Sequence, residues 1–169
     1  YLDLAKNPDF RFVISNTTEA GIAYEKEDRL TDRIQKSFPA KVTVLLYERF
    51  KAGQLGMALV STDNCSHNGD ILKAAVLPYA KAWEENGKVE AGFAAYVDSE
   101  KLAFTWSMID KITPRPDAQV EVMLTADGIE DLEPVLTKRG TPIALFVNAE
   151  EAEYLVIEDN FPNGRPALE

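Results

Sequence analysis

GMALVSTDNCSHNGD, residues 56–70, decides how this chain is read. Gly56 to Thr62 is an apolar run of strand length, and the following stretch, STDNCSHNGD, holds two aspartates, two asparagines, the single cysteine and the single histidine of the chain. Beyond it Leu72, Ala75, Val76, Tyr79, Ala80 and Trp83 recur every three or four residues, which predicts a helix running to Asn86-Gly87. Pro78 falls inside that helix, where its ring removes one backbone hydrogen bond and is expected to bend it. Upstream, FRFVIS (10–15) reads as a strand. FPAKVTVLLYERFKAG (38–53) reads as a helix, with Val42, Leu45, Leu46 and Phe50 on one face, Pro39 in its first turn and Gly53 at its stop. Strand, helix and strand in that order predict a βαβ unit with parallel strands and an α/β fold.

The remaining segments extend this frame. EKEDRLTDRIQKS (25–37) is a solvated stretch without a sustained apolar face. A short helix is expected within VEAGFAAYV (89–97), a strand in SEKLAFTWSMIDKITPRP (99–116) before its proline-rich break, and another short helix in PDAQVEVMLTADG (116–128). PVLTKRG, TPIALFVN and EYLVIEDNF are β-rich segments separated by turn residues. The expected organisation is an α/β part over residues 1–113 and a β-rich extension over residues 114–169.

The 169 residues, 46% hydrophobic and 27% charged, are enough for one globular domain with a real core. One cysteine excludes an internal disulfide, and one histidine leaves no His/Cys cluster for zinc, so no metal is expected, with carboxylate-only sites left open. A formal charge of −10 repels phosphate backbones and anionic bilayers, which argues against nucleic acid and membrane partners. No apolar run approaches the roughly 20 residues of a bilayer span, and the opening YLDLAKNPDF carries no secretion signal, so the expected compartment is the cytoplasm. The chain opens without methionine and closes on GRPALE, and it reads as a piece of a longer protein.

Asp63 and Asn64 stand at the carboxyl end of a parallel strand, where open α/β sheets place their ligands. A non-titrating amide there can donate to a carbonyl or alkoxide oxygen, or it can merely brace its own turn; the local residues leave both readings open. Asn68 reads as the N-cap of the following helix and Asp70 as a favourable first-turn charge. His67 and Cys65 lack defined catalytic partners and read as turn and packing residues. Asp110 fits a salt-bridged loop as well as a site, and Glu19 is the single charge in an otherwise polar loop after the first strand. GxGxxG, P-loop, GxSxG and HExxH motifs are absent from the sequence.

SNTTEAGIAYE, STDNCSHNGD and WSMIDKITPRP, followed by FVNAEEAEYLVIEDNFPNGRPALE, together resemble the long-chain mannitol dehydrogenase family across essentially the whole chain. The resemblance implies an internal, incomplete Rossmann-like portion of a metal-independent, NAD- or NADP-dependent oxidoreductase, with residues 1–113 as the later part of its nucleotide-binding domain. Its substrates would be a polyol or sugar acid and the corresponding ketose, as in mannitol/fructose or mannonate/fructuronate. It implies Asn64 as an amide holding the reacting oxygen, Asp110 as support for proton movement near the base, and Glu19 near the path by which water and protons leave. TEAG and MIDKITP depart from the family's usual wording at the latter two positions. The family's Gly-rich turn would lie upstream of Tyr1 and its lysine base downstream of Glu169; Lys41, Lys73, Lys81, Lys88, Lys101, Lys111 and Lys138 do not stand in that motif. The piece alone is accordingly expected to be inactive. A non-catalytic α/β interaction module of shared ancestry is the competing expectation. Choice of substrate, choice between NAD and NADP, and oligomeric state are not written in these residues.

Overall fold

The computed structural model describes residues 2–25, 35–53, 56–109, 117–130, 132, 135–140, 142–143 and 156–167, with the side chains of residues 19, 20, 142 and 143 excepted. The chain divides into two units, Tyr1–Ile109 with Leu155–Glu169, and Asp110–Tyr154.

The first unit is built on strand β1 (Phe12–Ser15), helix α1 (Thr18–Gly21), helix α2 (Phe38–Lys51), strand β2 (Met57–Ser61), helix α3 (Asn68–Glu85), helix α4 (Phe93–Val97) and strand β3 (Leu102–Thr105), after a short 3₁₀ turn at Leu2–Lys6. The sheet order is β1-β2-β3, and both pairings are parallel. Phe12 lies beside Ala58 and Ala58 beside Ala103, so residues of like parity share a face. Every residue of β2 is buried, as a central parallel strand requires when both faces are covered.

One face carries Met57, Leu59, Leu102 and Phe104 into a core with Leu46 of α2, Leu72, Val76 and Tyr79 of α3, and Phe93 and Val97 of α4. The periodic apolar residues expected on α2 and α3 are the ones that make it. Helix α2 starts where Ser37 accepts a hydrogen bond from the Ala40 amide at 3.3 Å, and it stops at Gly53, whose φ of 65° suits a residue without a Cβ. Helix α3 runs through Pro78 as one helix, and it starts at Asn68, a turn earlier than its apolar pattern.

The opposite face is thin. Ala58, Val60 and Ala103 meet Phe12, Ile157 and Phe161, the last two supplied by the chain's final segment. That segment enters through β7 (Val156–Ile157), which pairs antiparallel with β4 (Ser107–Met108). It is then tied down by Thr105 Oγ1 donating to the Asn160 carbonyl at 3.0 Å and by Asn163 Nδ2 donating to the Gly56 carbonyl. Gly56 admits nothing larger, since a Cβ there would stand 1.8 Å from the Lys101 carbonyl oxygen.

Arg49 is the residue the apolar pattern did not mark. Its side chain is fully buried and donates to the carbonyls of Ala5 (3.2 Å), Asn7 (3.3 Å) and Gly56 (3.2 Å), joining the first turn to the entry of β2. Burial lowers its pKa from the ordinary arginine value. Desolvation pushes the hydroxyl of nearby Tyr96 up to about 12, against the pull of the Arg49 charge.

In the second unit, α5 (Ala118–Ala126) is capped by Asp117, which accepts from the Gln119 amide at 2.7 Å, and β5 (Val135–Leu136) pairs antiparallel with β6 (Pro142–Ile143). Among the described residues, no helix is long and apolar enough to cross a membrane.

The Glu84 carboxylate at the end of α3 accepts from the amides of Gly92 (3.1 Å) and Ala94 (2.7 Å), capping α4 from outside. The Ala94 and Gly92 amides hold its pKa below the ordinary carboxylate value. A folded-state pKa below the unfolded one adds stability above the unfolded value and loses it as pH falls through the folded one. Glu84→Gln is therefore expected to lower Tm at pH 7, with the gap to wild type closing as pH drops below the usual carboxylate range; Tm measured across that pH series checks this.

Candidate active site at the carboxyl edge of the sheet

The carboxyl ends of β1, β2 and β3 come together, and buried polar side chains clamp them. Asp63 is 1% exposed: its Oδ1 accepts from the Thr17 amide (2.5 Å) and the Thr17 hydroxyl (3.2 Å), and its Oδ2 from Ser61 Oγ (2.9 Å). Asn16 Nδ2 donates to the Thr62 carbonyl at 2.7 Å, and the Thr62 amide donates to the Ser15 carbonyl at 2.7 Å. The loop after β1 is thus fixed to the end of β2.

Asn68 makes the other half of the clamp. Fully buried, its Nδ2 donates to the carbonyls of Asp63 and Ser107, each at 3.0 Å, and its Oδ1 accepts from the amides of Gly69 (2.9 Å) and Ser107 (3.0 Å). Ser107 Oγ donates in turn to the Ser61 carbonyl at 2.5 Å. Asn68 was expected as the N-cap of α3; it is instead the first helical residue, and the cap position falls to His67, which makes no side-chain cap bond. The reason is tertiary: the amide satisfies strand-end groups that the local sequence does not show. Gly69 permits this close approach, since a Cβ there would lie 2.3 Å from the Phe104 carbonyl oxygen and 2.8 Å from the Trp106 ring.

Between these two buried anchors, residues 64–67 form an arc. Asn64 is exposed, and among the described residues its amide has no hydrogen-bond partner. The Cys65 amide closes the bend onto the Asp63 carbonyl at 2.8 Å. Two non-glycine residues among those described have positive φ, Thr18 (66°) and His67 (56°), and both stand at this edge. For β-branched Thr18 that conformation is costly, and such strain gathers at functional sites. Glu19 follows within α1, so its backbone belongs to the same edge, while its side chain and all of Asp110 lie outside the described residues. The structure therefore places Asn64 at the edge, and the carboxylates of Glu19 and Asp110 lie outside the described residues. Sequence reasoning missed the clamp: a polar residue following an apolar strand, as Asp63 does, is a weak signal of burial, and no local feature marks Ser107.

Among the described residues, no group of three or more His, Cys, Asp or Glu side chains could hold a metal ion. A dinucleotide is a different matter. Neither strand-to-helix connection carries the glycine pattern that cradles a pyrophosphate, and Gly69 is spent on packing. The exposed amide at the carboxyl end of the central strand can instead donate a hydrogen bond to a carbonyl or alkoxide oxygen of a small ligand.

A family model described as the mannitol dehydrogenase Rossmann domain matches residues 1–169. The chain belongs to the mannitol dehydrogenase family. Its Rossmann-type sheet agrees with the solved substrate-free D-sorbitol dehydrogenase, to which the chain is similar with a TM-score of 0.60 and 26% identity over 98% of its length and 33% of that chain. It is 43% identical to the D-mannonate oxidoreductase of Thermotoga maritima over 99% of its own length and 33% of that protein's. It is also 43% identical to the altronate oxidoreductase of Pectobacterium atrosepticum over 78% of its length and 27% of that protein's. The chain spans about a third of the length of these mannitol dehydrogenase relatives.

Removing the Asn68 amide strands the groups it satisfies in a buried setting. Asn68→Ala is expected to cost about 2–4 kcal/mol, read from the midpoint and slope of urea unfolding.

Proposed function

We propose that the full-length protein is a nicotinamide-dependent oxidoreductase that interconverts an aldonate or polyol with the corresponding keto-uronate or ketose. The single observation that carries this reading is Asn64: an exposed amide without a partner among the described residues, held at the carboxyl end of the fully buried central strand by anchored neighbours on both sides. The match at 43% to a D-mannonate oxidoreductase over nearly the whole chain, against 26% to D-sorbitol dehydrogenase, favours a sugar acid of the mannonate class.

In this reading a nicotinamide, when bound, would supply hydride exchange with the carbon that is carbinol in one direction and carbonyl in the other. Asn64 Nδ2 donates to the substrate oxygen, and that bond strengthens as negative charge grows there during oxidation. Being an amide, Asn64 does so without taking up or releasing a proton in the working pH range. The clamp beneath it fixes the backbone that carries the donor before substrate arrives. The proton leaves through a lysine elsewhere in the full-length protein, with Asp110 supporting its transfer and Glu19 set beside its route to solvent. The substrate is a small molecule, and the reaction needs no metal. In Rossmann-type folds the residue that distinguishes NAD from NADP lies about 20 residues beyond the Gly-rich turn.

Loss of one oxyanion donor costs about a hundredfold to a thousandfold in turnover. Asn64→Ala in the full-length protein is expected to fall by that much in kcat with mannonate, altronate or mannitol, assayed with NAD and with NADP; near-normal turnover with the preferred pair would refute the role. Asp110→Asn is expected to displace the pH profile of kcat while leaving Tm in place, and an unmoved profile counts against its part in proton transfer.

A further inference from the structure

The arc that presents Asn64 has an aromatic support. His67 lies stacked on Trp106, with ring centroids 4.2 Å apart and planes inclined by 17°. His67 holds a left-handed backbone conformation, φ 56° and ψ 42°, which histidine tolerates better than most side chains, though not freely. Its carbonyl accepts the Ile71 amide at 3.1 Å, so the residue that ends the arc also begins α3.

Trp106 is itself fixed on its far side. Its amide donates to Glu158 Oε2 at 3.1 Å, and its carbonyl accepts the Glu158 amide at 2.9 Å, next to the β4–β7 pairing. Its ring lies against the start of α3 at Gly69. A continuous path of contacts thus runs from the final segment through Trp106 and His67 to the arc. The buried anchors Asp63 and Asn68 fix the arc's ends, yet neither touches the side chain of Asn64.

We propose that the His67–Trp106 stack is a positioning device that sets the direction of the Asn64 amide, a role that neither the family match nor the motif assigns. It rests on the reading of Asn64 as the oxygen-holding donor. Both rings act through the backbone of residues 64–67 and need not touch substrate. A ring pair that merely fills surface would affect folding, whereas a positioning pair affects the transition state through Asn64 and through nothing else.

The test is a coupling experiment on the full-length protein with its preferred substrate and coenzyme. His67→Asn keeps tolerance of the left-handed backbone and removes the ring; Trp106→Ala removes the opposing ring; Trp106→Phe restores one. The first two are expected to lower kcat at least fivefold with KM changed less than twofold, and Trp106→Phe to recover most of the loss. In an Asn64→Ala background, His67→Asn is expected to have no further effect on kcat, because the group it positions is gone. Normal kcat in His67→Asn and Trp106→Ala, or a loss that simply adds to that of Asn64→Ala, overturns the positioning role while leaving the donor role of Asn64 standing. Should Trp106→Ala fail to fold, the exposed His67→Asn decides the matter alone. Normal turnover in Asn64→Ala overturns both readings.

Discussion

Three parallel strands can bury their middles against helices, but their carboxyl ends must solve a different problem. There the backbone leaves the sheet, its polar groups lose their ladder partners, and a buried group without a partner is costly. Asp63 and Asn68 meet that constraint. Between them they satisfy groups from the loop after β1, the end of β2 and the start of β4, and the edge becomes a fixed platform. The helix start at Asn68, the close approach at Gly69 and the arc of residues 64–67 all follow from that clamp.

The platform also explains why strain can be tolerated where it is found. Thr18 and His67 hold positive φ on either side of Asp63, in connections whose neighbours are pinned by hydrogen bonds. Strain persists when the surroundings over-determine it, and its use is to hold a group in place before a ligand arrives. Asn64 stands between those two residues, polar, exposed and without a hydrogen-bond partner among the described residues. The opposite end of the sheet has a plainer design. Arg49 gathers three carbonyls near the entry of β2, and Gly56 lets two strand starts close together.

The βαβ order, the helical face of α2, the long helix through Pro78 and the short helix α5 were all legible, because each is written in local pattern. Asn64 was legible as a candidate through its place after an apolar strand, and it gained weight from the family pattern of motifs. The burial of Asn68 and Arg49 was not. Each is a polar residue with partners 39 to 44 positions away in sequence, Ser107 for Asn68 and Ala5 and Asn7 for Arg49, and no window of local pattern reaches that far. The return of the final segment to the thin face of the first sheet was hidden for the same reason. EYLVIEDNF announces a strand, but nothing within it says that Ile157 and Phe161 cover Ala58, Val60 and Ala103.

What the sequence determined by itself is the alternation of strands and helices, the acidic net charge, and the polar turn at the end of the central strand. These depend on neighbours a few residues apart, where periodicity, capping and turn chemistry act. What only the tertiary structure decided is which polar residues of that turn go inside. Asp63 and Asn68 are buried because distant strand ends need their hydrogen bonds, and Asn64, identical in chemistry to Asn68, is left facing outward because no such demand reaches it.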